Sequence, residues 1–266
     1  MLNKKIKIGI TGSTGVLGSI LTKKFKIKKK YNIHIFQSDI CNFSKVRKWI
    51  TSNNFDAIFH LASLVPVRLC DSNPLKACSI NIGGTHNLLN SMKTLNKKPW
   101  FFYASTSHVY KINKKPLAET DKILPGTFYG YTKWIAEKLL ENFDLNYKLN
   151  FCVGRIFSFY SKKQSKNFLY PSILEKLKRT KNKNNIFIYN ANNILDIQTA
   201  QNVVNIIIRL FEKRALGTFN IGTGKGIKIS NFIKKISKKK IKITTNTKKK
   251  QIVVADIKKL NSVILE

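Results

Sequence analysis

The sequence predicts an α/β fold with a doubly wound parallel sheet. Two observations predict it: a strand, glycine turn and helix pattern near the N-terminus, and alternating strand and helix patterns from residue 5 to about residue 157. Strands that alternate with helices form βαβ units, whose strands lie parallel and are buried on both faces. The chain has 266 residues, 43% of them hydrophobic, which is enough for one large domain or for one domain with a small appendage.

The first predicted strand leads directly into a glycine-rich turn. Isoleucines alternate with other residues from position 6 to position 10, and glycines follow at positions 12, 15 and 18. Gly12 can adopt backbone angles that a side chain forbids, Gly15 lets a pyrophosphate approach the backbone, and Gly18 lets the helix pack close to the strand. The helix amides then face an anion. The predicted dinucleotide-binding segment comprises Gly12, Ser13, Thr14, Gly15, Val16, Leu17 and Gly18.

The second strand, at about residues 32–36, is followed by Asp39, which lies 21 residues beyond Gly18. In a dinucleotide-binding fold, an acidic residue about 20 positions beyond the glycines accepts hydrogen bonds from the adenosine ribose. Alternatively, Asp39 caps the next helix, for which Asn42 and Ser44 are competing caps. We favour the cofactor-binding role.

The remaining elements are predicted from apolar periodicity. Strands are predicted at 56–61, 100–104 and 150–156, and helices at 44–53, 74–93 and 131–142. Beyond residue 157 the pattern is less regular, with predicted helices at 169–177 and 201–212 and a strand at 185–189. We expect a dinucleotide-binding domain with the catalytic residues at 1–157, and a smaller substrate-binding α/β portion at 158–266 whose contributions can interleave with it.

The composition argues against several other classes of protein. The formal net charge is +36, but only six of the 49 basic residues are arginines, which are favoured where a protein reads phosphates and bases with paired hydrogen bonds. We therefore expect no dedicated nucleic-acid binding. No window is apolar enough to span a membrane and the N-terminus leads into a strand, so we expect a cytoplasmic protein. The four cysteines form no CxxC pair and predict neither disulfides nor a metal site.

Tyr129 and Lys133 form the candidate catalytic pair. They lie four residues apart in a predicted helix and therefore share one face of it. To act near neutral pH, a tyrosine needs its pKa lowered by about three units, or about 4 kcal/mol. An ammonium group ~4 Å away supplies about that much at an effective dielectric constant near 20. The alternative is an ordinary exposed pair on a helix.

Several segments together resemble the short-chain dehydrogenase/reductase superfamily, in its extended branch that acts on nucleotide sugars. The glycine turn, a hydroxyl-rich strand end at residues 105–107 and the tyrosine–lysine pair occur in the order typical of that branch. The motifs that carry the resemblance are TGSTGVLG at 11–18, SDI at 38–40, HLAS at 60–63, NIGGTHNLL at 81–89, STSHVY at 105–110, YGYTK at 129–133, GRIFSFY at 154–160 and FNIGTG at 219–224.

The resemblance implies a Rossmann-type fold, NAD or NADP as cofactor and a nucleotide-linked sugar as substrate. It implies that Thr106 hydrogen-bonds the reacting sugar oxygen, that Tyr129 is the general acid and base, and that Lys133 lowers the pKa of Tyr129 and binds the nicotinamide ribose. It further implies a homodimer formed through the helices at 74–93 and 131–142. The other implied cofactor contacts are Asp39 and Ile40 at the adenine, Leu61, Ala62 and Ser63 along the middle, and Asn81 and Phe157 near the nicotinamide.

The chain departs from the family pattern near the substrate. The family's 4,6-dehydratases place Asp and Glu directly after the catalytic Thr, whereas Ser107 and His108 stand here, which argues against elimination of water. Ser158 replaces a usual asparagine. His108 is either a substrate donor or a hydrogen-bonded wall residue. The expected substrate contacts are Thr106, His108 and Ser158.

Three functions remain open. The leading hypothesis is a 4-keto-sugar reductase, in which Tyr129 protonates the keto oxygen; the compact length and the short link before Asp39 are similar to 4-dehydrorhamnose reductases. The alternative is a nucleotide-sugar 4-epimerase with retained NAD, and a remote alternative is a non-catalytic dinucleotide-binding or RNA-binding relative. The choice between NAD and NADP also stays open, because Gln37 stands where many relatives carry an acid or arginine, and Lys23 and Lys24 lie nearby.

Overall fold

The computed structural model describes residues 5–112, 115–179, 185–237, 241–246 and 250–265. The strands are β1 (Ile6–Thr11), β2 (Tyr31–Ile35), β3 (Ala57–His60), β4 (Trp100–Thr106), β5 (Phe151–Ile156), β6 (Phe159–Tyr160), β7 (Asn185–Phe187), β8 (Ile194–Asp196), β9 (Gln198–Thr199), β10 (Gly217–Ile221), β11 (Gly226–Lys228), β12 (Lys242–Thr244) and β13 (Ile252–Val253). The helices are α1 (Val16–Ile27), α2 (Phe43–Asn53), α3 (Val67–Ser72), α4 (Pro74–Cys78), α5 (Gly84–Met92), α6 (Phe128–Tyr147), α7 (Leu169–Arg179), α8 (Ala200–Glu212), α9 (Ile229–Ile236) and α10 (Lys258–Ile264).

The central sheet has six parallel strands in the order β10-β5-β4-β3-β1-β2. The chain starts inside the sheet, moves outward to β2 and then reverses to β3, so the strand order changes direction beside β1. In such sheets ligands bind outside the carboxyl ends of the strands at this point of reversal. The predicted doubly wound parallel sheet is confirmed, and its geometry directs attention to the ends of β1, β3 and β4.

Helices cover both faces of the sheet and bury two hydrophobic cores. On one face α1 and α8 contribute Phe25 and Ile207, both fully buried. On the other face α2, α5 and α6 contribute Ile50, Leu88 and Leu140, also fully buried. The strands between them read as continuous apolar runs because neither face of the sheet meets water.

The sixth strand, β10, comes from beyond residue 157 and pairs with β5, so that Asn220 lies opposite Arg155. Apolar periodicity does not predict this strand. Its five residues begin with Gly217, and the only strand signal is the alternation of two buried side chains, Phe219 and Ile221.

The predicted helix at 74–93 is interrupted. Asn73 caps α4 by accepting a hydrogen bond from the Lys76 amide at 3.2 Å, and a π-helical turn at Ser79–Gly83 then separates α4 from α5. The wider turn places Asn81 inside the protein, where it is 1% exposed. In contrast, α6 starts three residues earlier than predicted, because the Thr127 hydroxyl accepts a hydrogen bond from the Gly130 amide at 3.1 Å.

Smaller sheets complete the fold. One has the strand order β11-β8-β13 and another pairs β12 with β7. Asp196, at the end of β8, is fully buried and accepts hydrogen bonds from the backbone amides of Thr223 and Gly224 at 2.9 to 3.0 Å. This carboxylate fixes the loop that follows β10.

Candidate active site

The glycine turn brings three backbone segments into contact at the end of β1. Gly12 has φ +71°, and a Cβ atom there would lie 2.5 Å from the amide nitrogen of Ala62. A Cβ atom at Gly18 would lie 2.1 Å from the Gly12 carbonyl oxygen. Only glycine fits at these two positions, because real Cβ atoms do not approach backbone atoms so closely.

The first turn of α1 is open to an anion. No side chain among the described residues caps it, and its first turn carries no acidic residue. Thr14 and Gly15, which precede the helix, are exposed. The first amides of a helix lack intrahelical partners and carry a partial positive charge. Residues 12–18 therefore fit the pyrophosphate of a dinucleotide, as the sequence predicts.

Thr106, Tyr129 and Lys133 converge at the end of β4. The start of α6 packs directly on the 3₁₀ turn at Ser107–Val109, since a Cβ atom at Gly130 would lie 2.4 Å from the His108 carbonyl oxygen. This contact brings the Tyr129 phenol into a hydrogen bond with the Thr106 hydroxyl. Lys133 lies one helical turn further along α6, and its side chain is 2% exposed.

The pKa of Tyr129 is shifted in the opposite direction to the predicted one. The pKa of Tyr129 is raised well above its usual value, because burial disfavours the phenolate more than the Thr106 hydrogen bond favours it. Lys133 places its nitrogen 4.1 Å from the centre of the Tyr103 ring, and burial lowers its pKa to about 7. The prediction that this ammonium group alone makes Tyr129 acidic is therefore wrong: in the chain by itself, Tyr129 holds its proton at neutral pH.

A buried ion pair supports the catalytic strand end. Glu137, one turn beyond Lys133, accepts hydrogen bonds from the Arg155 guanidinium on β5, with Nη2 2.8 Å from Oε2. The Ser105 hydroxyl, next to Thr106, also donates to Glu137. The carboxylate of Glu137 raises the pKa of Lys133 and so opposes the effect of burial.

The same arginine reaches towards β10. Its Nη1 donates to the Tyr110 hydroxyl and to the Glu119 carbonyl, both at 3.0 Å. Tyr110 in turn donates to the Asn220 side chain at 2.6 Å. The sequence did not predict this hydrogen-bond network. The one available signal was the spacing of Glu137 from Lys133, because residues four apart share a helix face.

Leu61, Ala62 and Ser63 lie beside the glycine turn and are partly exposed. Their position is fixed by His60, whose Nδ1 lies 2.7 Å from the Thr11 hydroxyl and whose Nε2 lies 3.0 Å from the Thr85 hydroxyl. Burial lowers the pKa of His60 to about 3. The imidazole is therefore neutral and serves as a hydrogen-bonded link between β1, β3 and α5.

Asn81 uses its side chain inside the protein. Its carbonyl oxygen accepts hydrogen bonds from the Ser63 hydroxyl and the Leu64 amide, both at 2.8 Å. Its amide group donates to the Thr132 hydroxyl at 2.9 Å, next to Lys133 on α6. Asn81 therefore holds the segment after β3 against the catalytic helix, and its expected contact near the nicotinamide stays a prediction.

Asp39 and Ile40 lie just beyond the end of β2. The Asp39 carboxylate accepts a hydrogen bond from the Cys41 amide at 2.9 Å, whereas Asn42 caps α2 by accepting from the Lys45 amide at 3.0 Å. The capping alternative for Asp39 is therefore wrong. Ile40 is 7% exposed and packs against Gly84, so its side chain fills the core.

The three remaining candidate site residues differ in how far they are exposed. His108 is exposed, and its ring centre lies 5.8 Å from that of Tyr129. Ser158 is partly exposed, and its carbonyl accepts from the Gln198 amide at 3.0 Å. The Phe157 side chain, in contrast, is 2% exposed and packs with Tyr110, so only its backbone is left for a ligand.

The described part of the chain contains neither a metal-binding cluster nor a membrane-spanning helix. Within it, no three His, Cys, Asp or Glu side chains converge in a way that would hold a metal ion. Nor does any helix within it have the length and apolar character needed to span a membrane.

Comparisons with known proteins agree with this geometry. The chain is 33% identical over 134 residues to UDP-glucuronate 4-epimerase 4 of Arabidopsis thaliana, a match that covers 50% of this chain and 31% of the plant protein. The matched stretch thus spans about a third of that relative's length.

Solved structures resemble the whole chain. The UDP-glucuronic acid 4-epimerase from Bacillus cereus, in complex with UDP-glucuronic acid and NAD, superposes with a TM-score of 0.85 at 22% identity and covers 98% of this chain and 93% of its own. RMD from Pseudomonas aeruginosa, complexed with NADPH, superposes with a TM-score of 0.87 at 21% identity. This match covers 98% of this chain and 92% of the RMD chain. The sequence model of the GDP-mannose 4,6 dehydratase family matches residues 10–264. The chain therefore belongs to this family of extended short-chain dehydrogenases/reductases that act on nucleotide sugars.

Proposed function

We propose that the chain is a nucleotide-sugar 4-epimerase that uses a retained nicotinamide dinucleotide, with UDP-glucuronate as the first substrate to test. The observation that carries the proposal is the contact of the Thr106 hydroxyl with the Tyr129 phenol at the carboxyl end of β4, on the same sheet edge as the glycine turn. The curated relatives and a solved neighbour that binds UDP-glucuronic acid and NAD support this choice.

The geometry suits a reaction that removes and returns one proton. When bound, the cofactor supplies the hydride acceptor and donor. Thr106 would hold the sugar 4-oxygen, while Tyr129 takes the hydroxyl proton as C4 loses its hydride and gives the proton back when hydride returns to the other face. The proton and hydride are each removed once and returned once, so the reaction consumes no external reductant.

The comparisons support this alternative better than the reductase hypothesis that the sequence analysis put first. The UDP-glucuronate 4-epimerases of Arabidopsis thaliana and Thermodesulfobacterium geofontis are among the relatives, and the site residues suit either reaction. A dehydratase activity is disfavoured despite the name of the family, because Ser107 and His108 occupy the positions of its acid and base.

The test follows epimerisation without added reductant. Purified protein is incubated with UDP-glucuronate, and UDP-galacturonate is measured by chromatography. We expect product without net formation of reduced cofactor, and a rate roughly 10² to 10⁴ lower for Tyr129→Phe. Tyr147→Phe is the matched control, since Tyr147 is 41% exposed at the far end of the same helix and should leave the rate unchanged. Stoichiometric consumption of NADPH with a 4-keto sugar, without epimerisation, would establish a reductase instead.

The expected homodimer has a candidate surface. Tyr131 and Ile135, four apart on α6, are 40% and 39% exposed, and Leu75 on the neighbouring α4 is 82% exposed. Exposed apolar side chains grouped on adjoining helices mark interaction surfaces. Light scattering should show that Ile135→Glu converts a dimer to a monomer, whereas Leu216→Glu, at an exposed site before β10, leaves the mass unchanged. A wild-type monomer at micromolar concentration contradicts the dimer.

A further inference from the structure

Lys133 is buried without the partners that usually hold a buried lysine. Its side chain is 2% exposed. Among the described residues, no carboxylate oxygen lies within 4.0 Å of its nitrogen, and none accepts a hydrogen bond from it. A buried charge is costly unless a neighbouring group compensates it. Another kind of contact must therefore hold this ammonium group.

Glu137, the carboxylate that acts on Lys133 from the next turn of α6, is already engaged. Its Oε2 lies 2.8 Å from Nη2 of Arg155, and its Oε1 accepts a hydrogen bond from the Ser105 hydroxyl. Its charge favours the ammonium form of Lys133 from a distance. It makes no directed contact that would fix where the lysine nitrogen lies.

The ring of Tyr103 supplies such a contact. The Lys133 nitrogen lies over this ring, 4.1 Å from its centre. The face of an aromatic ring attracts a cation within about 6 Å, and most strongly where water is excluded. Tyr103 is fully buried, and burial raises the pKa of its phenol well above the usual value, so the ring is that of a neutral phenol.

The sheet fixes the orientation of this ring. Tyr103 on β4 pairs in register with His60 on β3, and the two ring centres are 5.7 Å apart. His60 is itself held by the hydroxyls of Thr11 and Thr85, at 2.7 and 3.0 Å. The ring is therefore a rigid support, whereas the four-carbon stem of Lys133 is flexible.

We infer that Tyr103 is a positioning residue, whose ring face holds the Lys133 ammonium group in the place from which it serves the reaction. Because Tyr103 has no exposed surface, it acts through Lys133 and not on the sugar. The inference deepens the proposed function and rests on it only where a rate is measured.

The other titratable groups around Lys133 do not replace the ring. Burial raises the pKa of the Tyr129 phenol and of the Cys70 thiol and lowers that of the His60 imidazole, so all three are neutral near pH 7. Only Glu137 carries a charge. Loss of the Tyr103 ring should therefore both release the ammonium group and lower its pKa.

The first test observes Lys133 by nuclear magnetic resonance in the full chain without cofactor. In protein labelled with ¹³C-lysine, the Lys133 ε-methylene signal is the one that Lys133→Met lacks. Ring currents move protons over a ring face upfield, so this signal should lie upfield of those of the exposed lysines in the wild type and in Tyr103→Phe. In Tyr103→Leu it should lose this shift, and the protonation equilibrium of Lys133 should change at least about threefold towards the neutral amine.

Phe102→Leu is the matched control. Phe102 is the neighbouring residue on β4, is also fully buried, and packs in the core on the opposite face of the sheet. The substitution removes an aromatic ring from the same strand without touching Lys133, so the Lys133 signal should stay as in the wild type. Melting temperatures show whether each variant is folded.

The second test measures epimerisation of UDP-glucuronate. We expect kcat to fall roughly tenfold in Tyr103→Leu with KM within about twofold of the wild type, and most of the rate to be kept in Tyr103→Phe. The inference is wrong if the wild-type Lys133 signal is not shifted upfield, if Tyr103→Leu leaves it in place, or if Tyr103→Phe behaves like Tyr103→Leu. A wild-type protein that does not epimerise contradicts the proposed function instead, and the resonance test still decides the role of the ring.

Discussion

Arg155 donates hydrogen bonds to both carboxylate oxygens of Glu137, with Nη2 2.8 Å from Oε2 and Nε 3.2 Å from each oxygen. The two side chains are 7% and 2% exposed, so neither charge is compensated by water. Removing one partner of such a pair leaves the other charge buried and unpaired.

Replacing Glu137 by Gln should therefore destabilise the protein by about 3–5 kcal/mol, which lowers the melting temperature by roughly 10 °C. The control is Glu141→Gln, which removes an exposed pair with Lys138 on the same helix and should change the stability by less than about 1 kcal/mol. Calorimetry measures both. Equal melting temperatures for the two variants would refute a stabilising role for the buried pair.

Gly12→Ala should impair dinucleotide binding. The new Cβ would lie 2.5 Å from the Ala62 amide nitrogen, and φ at this position is +71°. We expect at least about a tenfold loss of affinity for NAD or NADP, because alanine is strained in this conformation and the turn must move. Gly126→Ala is the matched control, since no described atom lies within 4 Å of its added methyl group. Unchanged affinity in Gly12→Ala would mean that the turn does not hold the cofactor.

Tyr129 should not ionise near neutral pH in the protein without cofactor. Burial raises the pKa of its phenol above the usual value. In a titration followed at 295 nm, the difference between wild type and Tyr129→Phe should stay flat up to about pH 10. A tyrosinate signal near pH 7 that Tyr129→Phe lacks would contradict this assignment. The positive charge of an oxidised nicotinamide is the further contribution expected to lower this pKa once cofactor is bound.

His60 should make stability depend on pH in the acid range. Its pKa is lowered from 6.5 to about 3 by burial, so between these values the unfolded chain binds more protons than the folded one. The stability that neutral His60 contributes is fully present above pH 6.5. As the pH falls towards 3, the free energy of unfolding decreases by up to about 1.4 kcal/mol per pH unit. The free energy of unfolding is measured with urea at several pH values between 3 and 6.5. It should depend less steeply on pH in His60→Gln than in the control His86→Gln, whose histidine is exposed in the wild type. Identical slopes would contradict the prediction.

The sequence predicted the features that depend on local pattern. Glycine spacing revealed the turn, apolar runs revealed five strands of the main sheet, and the spacing of Tyr129 from Lys133 predicted a shared helix face. Features that depend on distant contacts were missed. No periodicity indicates that β10 completes the sheet, or that Arg155 on β5 meets Glu137 on α6. The predicted direction of the Tyr129 pKa shift was wrong for a related reason. Sequence spacing gives the position of the neighbouring charge, but not how deeply the fold buries the phenol.

The position of β10 has a consequence for any attempt to divide the chain. It pairs with β5 along its length, and Asn220 within it receives the hydrogen bond of Tyr110 from the other side of residue 157. The helix before β10, α8, packs against α1. The first turn of α1 directly follows the glycine turn. A fragment that stops at residue 157 would expose an unpaired strand edge and a bare apolar helix face, two surfaces through which proteins aggregate. Expression of the two halves from separate genes should give soluble material only when both are made together.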